Sequence, residues 1–208
     1  MLEETNLMLF LAASLVVIVA PGPDNILVLT RGITLGRGAG LVSAAGASLG
    51  LVVHSFFAAV GLSALLASSA VAFAVVKYVG AAYLIYLGIK ALLDRDAFVF
   101  SDGAPVGLRS VFAQAMISNV ANPKIAVFFL AFLPQFAEPG GGSVALRLLA
   151  LGLTFALSTW VIFSATALFS SVLGGWLRTR PSFANTLRWL TGSVLIGLGL
   201  RLALPERR

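Results

Sequence analysis

The most constraining feature of this sequence is a proline-rich break inside a long apolar run. Residues 6–30 carry one charged side chain, that of Asp24, and a helix of this length can cross a hydrocarbon core about 30 Å thick. Pro21-Gly22-Pro23 interrupts the run, and the two prolines have no N–H to bond the carbonyls four residues earlier. Lipid tolerates free carbonyls only where protein or a water-filled cavity satisfies them. A carboxylate at the same break is also costly in a membrane, so the sequence predicts a functional site there.

Composition places the whole chain in one membrane domain, residues 1–208, with an all-α fold. Of the 208 residues 59% are hydrophobic and 11% charged, whereas soluble domains carry roughly a quarter charged residues. The net charge of +6 does not indicate a nucleic-acid partner, because the basic residues stand singly at the ends of apolar runs, as topology signals do. The composition therefore predicts that the protein is embedded in membrane lipid.

Six apolar spans follow one another and predict a polytopic protein with six transmembrane helices. A polar loop over 94–110 separates them into two sets of three, about 6–93 and 111–204, and the first and fourth spans contain the proline motifs. The six spans are about 6–30, 39–66, 71–93, 111–137, 144–173 and 183–204.

The two sets of spans resemble each other. Residues 77–90 and 188–201 share a cation, an aromatic residue, Leu-Ile, Leu-Gly and a final cation in register. Pro23-Asp24 and Pro123-Lys124 occupy corresponding places in the first and fourth spans. Because three is odd, the two sets would insert with opposite orientation, which predicts a 3+3 inverted repeat with both broken helices near the midplane. The alternative is a chance alignment of hydrophobic segments.

Three ionisable side chains lie well inside the apolar runs: Asp24, His54 and Lys124. The inverted repeat makes Asp24 and Lys124 mates of opposite sign, so we expect them to face each other or a shared aqueous cavity. The alternatives are a structural ion pair, or a Lys124 side chain that reaches one membrane surface. His54 either relays protons or is hydrogen-bonded between helices.

Amides accompany these charges. Pro123 frees the carbonyl of Asn119, which together with the side chains of Asn119 and Asn122 forms a cluster suited to a polar solute. Asn25 is expected to play the matching part in the first span. Capping of helix ends is the alternative role for all three asparagines.

Other motifs favour packing over chemistry. Gly46 and Gly50 form a small-xxx-small pair that lets a helix approach closely and permits a homodimer. Tyr83 and Tyr86 are more typical of packing or an interfacial belt than of a substrate cage. No metal-ligand spacing, nucleotide loop or nucleophile–base arrangement is present in the sequence, so we expect neither a cofactor, a metal nor an enzyme.

Three motifs in order carry a resemblance over essentially the whole chain. Pro21-Gly22-Pro23-Asp24, Asn122-Pro123-Lys124 and 80–88, Gly-Ala-Ala-Tyr-Leu-Ile-Tyr-Leu-Gly, resemble the LysE/RhtB family of amino-acid exporters. The resemblance implies efflux of amino acids or close derivatives from the bacterial cytoplasm through the inner membrane, driven by the proton motive force. The Pro-Gly-Pro-Asp form is closer to the threonine/homoserine-lactone branch of that family. A zwitterionic substrate would then place its ammonium near Asp24 and its carboxylate near Lys124, and protonation of Asp24 would couple release to proton entry.

Loop charges predict the orientation. The loops after the first, third and fifth spans hold eight basic residues and the other side holds five, which by the positive-inside rule puts both termini outside. Two other functions remain open from the sequence. A passive channel needs no titrating charge, and an exporter of small cations would use Asp24 with backbone carbonyls, although one carboxylate is a poor divalent site.

Overall fold

The computed structural model describes residues 4–93, 106–137, 143–179 and 181–204, and this part of the chain is helical with no β-strand. A π-helical turn, Ala58–Leu62, follows α3, and a π-helical turn and a 3-10 turn, Phe128–Phe132 and Leu133–Phe136, follow α7. The α-helices are α1 (Glu4–Val19), α2 (Pro23–Thr34), α3 (Arg37–Phe57), α4 (Ser63–Ser68), α5 (Ala70–Leu93), α6 (Leu108–Val120), α7 (Pro123–Val127), α8 (Val144–Leu168), α9 (Ser170–Thr179) and α10 (Pro181–Ala203).

Three of the described helices are long and apolar enough to cross a membrane: Arg37–Leu62, Val71–Leu93 and Val144–Leu168. Two bent helix pairs pass the same test when each is counted as one span, which brings the total to five. The sixth predicted span corresponds to α10, which is 23 residues long but is not among the helices that pass. The count of six and the inverted repeat therefore stay predictions.

Both predicted breaks are present. The first broken span joins Leu7–Val19 to Pro23–Thr34 at an angle of 55°, and the second joins Leu108–Val120 to Pro123–Phe136 at 46°. In each span the helix resumes at a proline, Pro23 or Pro123. Proline suits the first position of a helix because its φ is already helical and no N–H is needed there. The same residue therefore ends one helix and starts the next.

Three predicted boundaries were wrong. The loop expected from Arg31 begins only after Thr34, because the buried Gly32 packs against Ser170 and holds the last turn of α2. The polar loop expected over 94–110 ends before Leu108, where α6 begins, and residues 94–105 lie outside the described part of the chain. The fifth span ends at Leu168 rather than at 173, since a new helix, α9, starts at Ser170.

The turn expected over 138–142 also lies outside the described residues, and so does Arg180 between α9 and α10. The turn expected at Ser68 and Ser69 is present, since α4 ends there and Ser69 adopts an extended backbone. The Ser69 hydroxyl oxygen accepts the backbone N–H of Ala72 at 3.1 Å and so satisfies one free donor of α5.

The small-residue face of α3 is used inside the molecule. A Cβ added at Gly46 would meet the backbone oxygen of Phe112 and lie 3.1 Å from the Cβ of Ala115, both on α6. A Cβ at Gly50 would lie 2.7 Å from Oδ1 of Asn119 on the same helix. These glycines therefore bring α3 against α6 within one molecule. The homodimer predicted from the same face stays a prediction, and this packing does not support it.

We expect Gly46→Val to destabilise the protein, because overpacking a tight helix contact costs about 1–3 kcal/mol. The matched control is Gly38→Val on the same helix, where an added Cβ meets nothing within 4 Å. Thermal unfolding in detergent measures both. A Gly46→Val protein that unfolds at the temperature of the Gly38→Val control would contradict this packing.

Phenylalanines fill the core behind the second break. Phe128 packs against Phe155 of α8 with ring centroids 4.7 Å apart, and against Phe132 at 5.1 Å. All three rings are fully buried. Large apolar side chains also cover the outside of the helices, including Leu15, Val79 and Leu157, as expected where lipid replaces water.

Candidate functional site

The Asp24 carboxylate is buried at the first break and is held by side chains of the second broken span. Its Oδ2 accepts hydrogen bonds from Nδ2 of Asn119 at 2.8 Å and from Nδ2 of Asn122 at 2.9 Å. Its Oδ1 accepts the hydroxyl of Ser118 at 3.2 Å. Hydrogen bonds to an ionised group are worth about 1.5–3 kcal/mol each, so three of them offset part of the cost of burying the charge.

The Lys124 ammonium is buried at the second break and is held by the backbone of the first. Its Nζ donates to the carbonyl of Val17 at 3.2 Å and to that of Ala20 at 3.1 Å. The Val17 carbonyl is one of those that the prolines free, so Lys124 takes the place of a missing helical N–H. Gly22 makes this approach possible, since a Cβ there would lie 3.0 Å from Nζ.

Each of the two charged side chains therefore binds the opposite broken span. Asp24 belongs to the first span and binds side chains of the second, while Lys124 belongs to the second and binds carbonyls of the first. Within the described residues the two side chains do not form a direct ion pair. Both are more than nine-tenths buried, so Lys124 does not reach a surface. Each side-chain hydrogen bond of Asp24 and Lys124 crosses from one broken span to the other.

Asn122 connects the two charges. Its Nδ2 donates to Asp24, and its Oδ1 accepts the backbone N–H of Lys124 at 3.0 Å. The second contact caps the amino terminus of α7, where asparagine is a preferred residue. The capping role of Asn122 is present, and the same side chain also bonds Asp24, so its role at a solute site stays a prediction.

Asn25 and His54 each bond a backbone carbonyl of one broken span. The Nδ2 of Asn25 donates to the carbonyl of Ile18 at 2.7 Å, which caps the end of α1 and does not match the contacts of Asn119 and Asn122. His54 Nε2 lies 3.2 Å from the backbone oxygen of Asn119, the carbonyl freed by Pro123, and its ring stacks on that of Phe129 with centroids 5.5 Å apart. His54 therefore bonds two helices together and fixes the peptide that carries Asn119.

A cavity of about 380 Å³ reaches this region. Its volume is near the lower end of the range of about 300–1,000 Å³ that is typical of small-molecule sites. Six predicted site residues line it: Pro21, Gly22, Pro23, Asn122, Pro123 and Lys124. The other four, Asp24, Asn25, Asn119 and His54, are not part of its wall.

The remaining wall comes from α2, α5 and α10. It includes Tyr83, Tyr86, Leu87, Lys90, Arg188 and Leu195. Sequence reasoning had assigned the tyrosines to packing and the two cations to topology, and it had missed Ser118 as a partner of Asp24. The adjacency of Ser118 to Asn119 was a usable signal, because successive polar residues at the end of α6 can meet the same group. Nothing in the sequence set Lys90 and Arg188 apart from the other basic residues at helix ends.

The family model for LysE type translocators matches residues 15–206, almost the whole of the chain and both breaks. The chain belongs to the LysE type translocator family. The resemblance seen in the three sequence motifs is thereby confirmed. As a member of a transporter family, the chain is expected to move a small molecule such as an amino acid.

Relatives with names support this class. A leucine efflux protein of Klebsiella pneumoniae is 30% identical over 202 residues, which cover 95% of this chain and 94% of the relative. A leucine efflux protein of Enterobacter is 27% identical over 95% of both chains. A relative from Vibrio cholerae, named as an uncharacterized membrane protein, is 32% identical over 93% of this chain and 94% of its own. No solved structure matches the chain.

Proposed function

We propose that this protein exports a neutral amino acid from the bacterial cytoplasm across the inner membrane, in exchange for protons. Membership of the LysE type translocator family supports amino-acid export. Relatives that are named leucine efflux proteins make leucine the first substrate to test, with threonine beside it because of the Pro-Gly-Pro-Asp motif. The breaks in two apolar spans support a binding site inside the membrane.

The observation that carries the proposal is the hydrogen bonding of the Lys124 ammonium. An ammonium has three N–H donors, and the described residues accept two of them. The same side chain lines the cavity, so a solute that enters meets a buried positive charge with one free donor. The carboxylate of an amino acid is the group that this donor fits best. The apolar wall formed by Ile26, Leu87 and Leu195 then accommodates an apolar side chain.

Asp24 is the proposed proton carrier. It is not part of the cavity wall, and its hydrogen bonds come from three neutral side chains rather than from a cation. Protonation removes the negative charge and so weakens the hydrogen bonds that Asn119 and Asn122 donate to Asp24, because a bond to an ionised acceptor is the stronger kind. Asn122 also caps the N–H of Lys124, so a change at Asp24 reaches Lys124 through this one side chain. Protonation of Asp24 would thus change the proposed carboxylate site at Lys124 without direct contact between the substrate and Asp24.

The same bonds explain how a proton could drive the change of access. Ser118, Asn119 and Asn122 bond the first broken span to the second at Asp24, in addition to the bonds that Lys124 makes to Val17 and Ala20. Weakening the bonds at Asp24 would let one broken span rock against the other, as in transporters built around a fixed midplane site. If the positive-inside rule holds for this chain, Lys90 and Arg188 lie on the cytoplasmic side, from which a substrate for export would reach the cavity.

Uptake of labelled amino acids into inside-out vesicles tests this function. We expect vesicles with an acidic interior to accumulate leucine or another neutral amino acid, and to stop when a protonophore collapses the pH gradient. Uptake that only equilibrates and ignores the gradient would indicate a passive channel. Vesicles that accumulate no amino acid, compared with vesicles lacking the protein, would contradict the proposal.

Replacement of Asn122 separates coupling from capping. We expect Asn122→Ala to abolish gradient-driven accumulation and to lower stability, since loss of an asparagine cap costs about 0.5–2 kcal/mol. The matched control is Asn25→Ala, which also removes a side-chain bond to a helix end but touches neither Asp24 nor the cavity. Thermal unfolding and vesicle uptake measure the two variants. Equal loss of uptake in both would show that any disturbance of the breaks stops transport.

A further inference from the structure

Two basic side chains, Lys90 of α5 and Arg188 of α10, line the cavity. Gly88 packs against Gly192, and Gly199 against Ala81, so the two helices run antiparallel. The end of α5 therefore lies beside the beginning of α10, and Lys90 and Arg188 stand at the same end of the pair.

The cavity follows these helices inward from the two cations. On α5 its wall runs from Lys90 to Tyr83, seven residues or about 10 Å of helix, and Tyr83 lies near the middle of α5. On α10 it runs over the same length from Arg188 to Leu195. Lys90 is exposed and Arg188 half-buried, whereas Lys124 is buried. A solute in the cavity therefore meets three cations.

These cations are not neutralised by the described part of the wall. No acidic residue is among the described residues that line the cavity, and neither cation forms an ion pair with a carboxylate of that part of the chain. Arg188 donates from Nη2 to Oδ1 of Asn185 at 2.5 Å, and its buried Nε has no acceptor. A basic residue that serves only as a topology signal would not need to line a cavity.

We propose that Lys90 and Arg188 determine the specificity of the exporter by admitting amino acids with an uncharged or anionic side chain and excluding those with a cationic one. The inference rests on the proposed function, since it concerns which amino acids the same cavity accepts. An α-carboxylate is attracted by all three cations in turn. A second ammonium or a guanidinium on the substrate is repelled by them and finds no carboxylate on the described wall.

Lysine and norleucine form the pair of probes that isolates this effect. Both have an α-ammonium, an α-carboxylate and four side-chain methylenes or methyl carbons in a line, and they differ in the terminal ammonium of lysine. Each is added as a competitor of labelled leucine uptake into inside-out vesicles. The ratio of their inhibition constants then measures the cost of the extra charge, while contacts with Lys124 cancel.

We expect lysine to compete far more weakly than norleucine in the wild type. In the double variant Lys90→Gln/Arg188→Gln the ratio should fall by at least about tenfold, since juxtaposed like charges are what penalise the wrong partner. The matched control is Lys77→Gln/Arg201→Gln, which removes one cation from each of the same helices at positions outside the cavity wall. This control should leave the ratio unchanged.

The outcomes separate this inference from the proposed function. An unchanged ratio in the double variant, with leucine uptake intact in the wild type, would overturn the specificity role and leave the exporter standing. A wild type that exports lysine as well as norleucine would do the same. A wild type that accumulates no amino acid would overturn both. A fall of the ratio in the Lys77→Gln/Arg201→Gln control equal to that in the double variant would show a general surface-charge effect and overturn the role of the cavity.

Discussion

Asp24→Asn should abolish gradient-driven accumulation while leaving the folded structure intact. An asparagine at this position can keep all three hydrogen bonds. Its Oδ1 can accept from Asn119 and Asn122, and its Nδ2 can donate to the hydroxyl of Ser118, which has lone pairs free to accept. The variant therefore removes the ionisable carboxyl group and little else. Uptake into inside-out vesicles and thermal unfolding in detergent measure the two expectations.

The informative result is the difference between these two measurements. We expect accumulation to fall to the level of vesicles without the protein, with an unfolding temperature close to that of the wild type. Exchange of leucine across the membrane without a pH gradient should persist, because the cavity and Lys124 are unchanged. Normal accumulation by Asp24→Asn would assign proton coupling to another group.

Lys124→Met should abolish transport and also destabilise the protein. The variant removes the free N–H donor at the cavity together with the two donors that satisfy the carbonyls of Val17 and Ala20. A buried polar group left without a partner costs about 1–3 kcal/mol, so two such carbonyls should lower the unfolding temperature clearly. Thermal unfolding and leucine binding to the purified protein measure the effects. An unchanged unfolding temperature would contradict the role of Lys124 as a substitute for the missing helical donors.

The double variant Asp24→Asn/Lys124→Met tests whether Asp24 and Lys124 bind separate partners or form a direct ion pair. If Asp24 and Lys124 stabilised each other directly, removing one would strand the other charge, and removing both would recover much of the loss. Because each binds its own uncharged partners and the two share only Asn122, we expect the double variant to recover only a small part of the unfolding free energy lost in Lys124→Met. Strong recovery in the double variant would show a direct pair.

The breaks and their charges could be predicted because local chemistry determines them. A proline removes a backbone donor whatever surrounds it, so Pro21, Pro23 and Pro123 mark the positions where helices must end. A buried charge needs partners, so Asp24 and Lys124 had to lie where the two spans meet. The sequence did not specify that each charge would bind the opposite span, since a direct ion pair satisfies the same requirement.

The cavity wall could not be predicted for a physical reason. Lys90 and Arg188 stand at helix ends, where basic residues serve as topology signals whether or not they line a cavity. Only the antiparallel packing of α5 on α10 brings them to the same cavity. The extension of α2 to Thr34 is similar, because the contact of Gly32 with Ser170 joins residues distant in sequence. Such features depend on tertiary packing, which cannot be read from the hydropathy of the sequence.

The most direct test is the movement of protons that accompanies a leucine gradient. Proteoliposomes are loaded with leucine and a pH-sensitive dye, voltage is clamped with potassium and valinomycin, and the vesicles are diluted into leucine-free buffer. We expect the interior to acidify as leucine leaves, with no acidification in Asp24→Asn vesicles. Leucine that leaves wild-type vesicles at an unchanged internal pH would contradict proton exchange and identify a passive route for the amino acid.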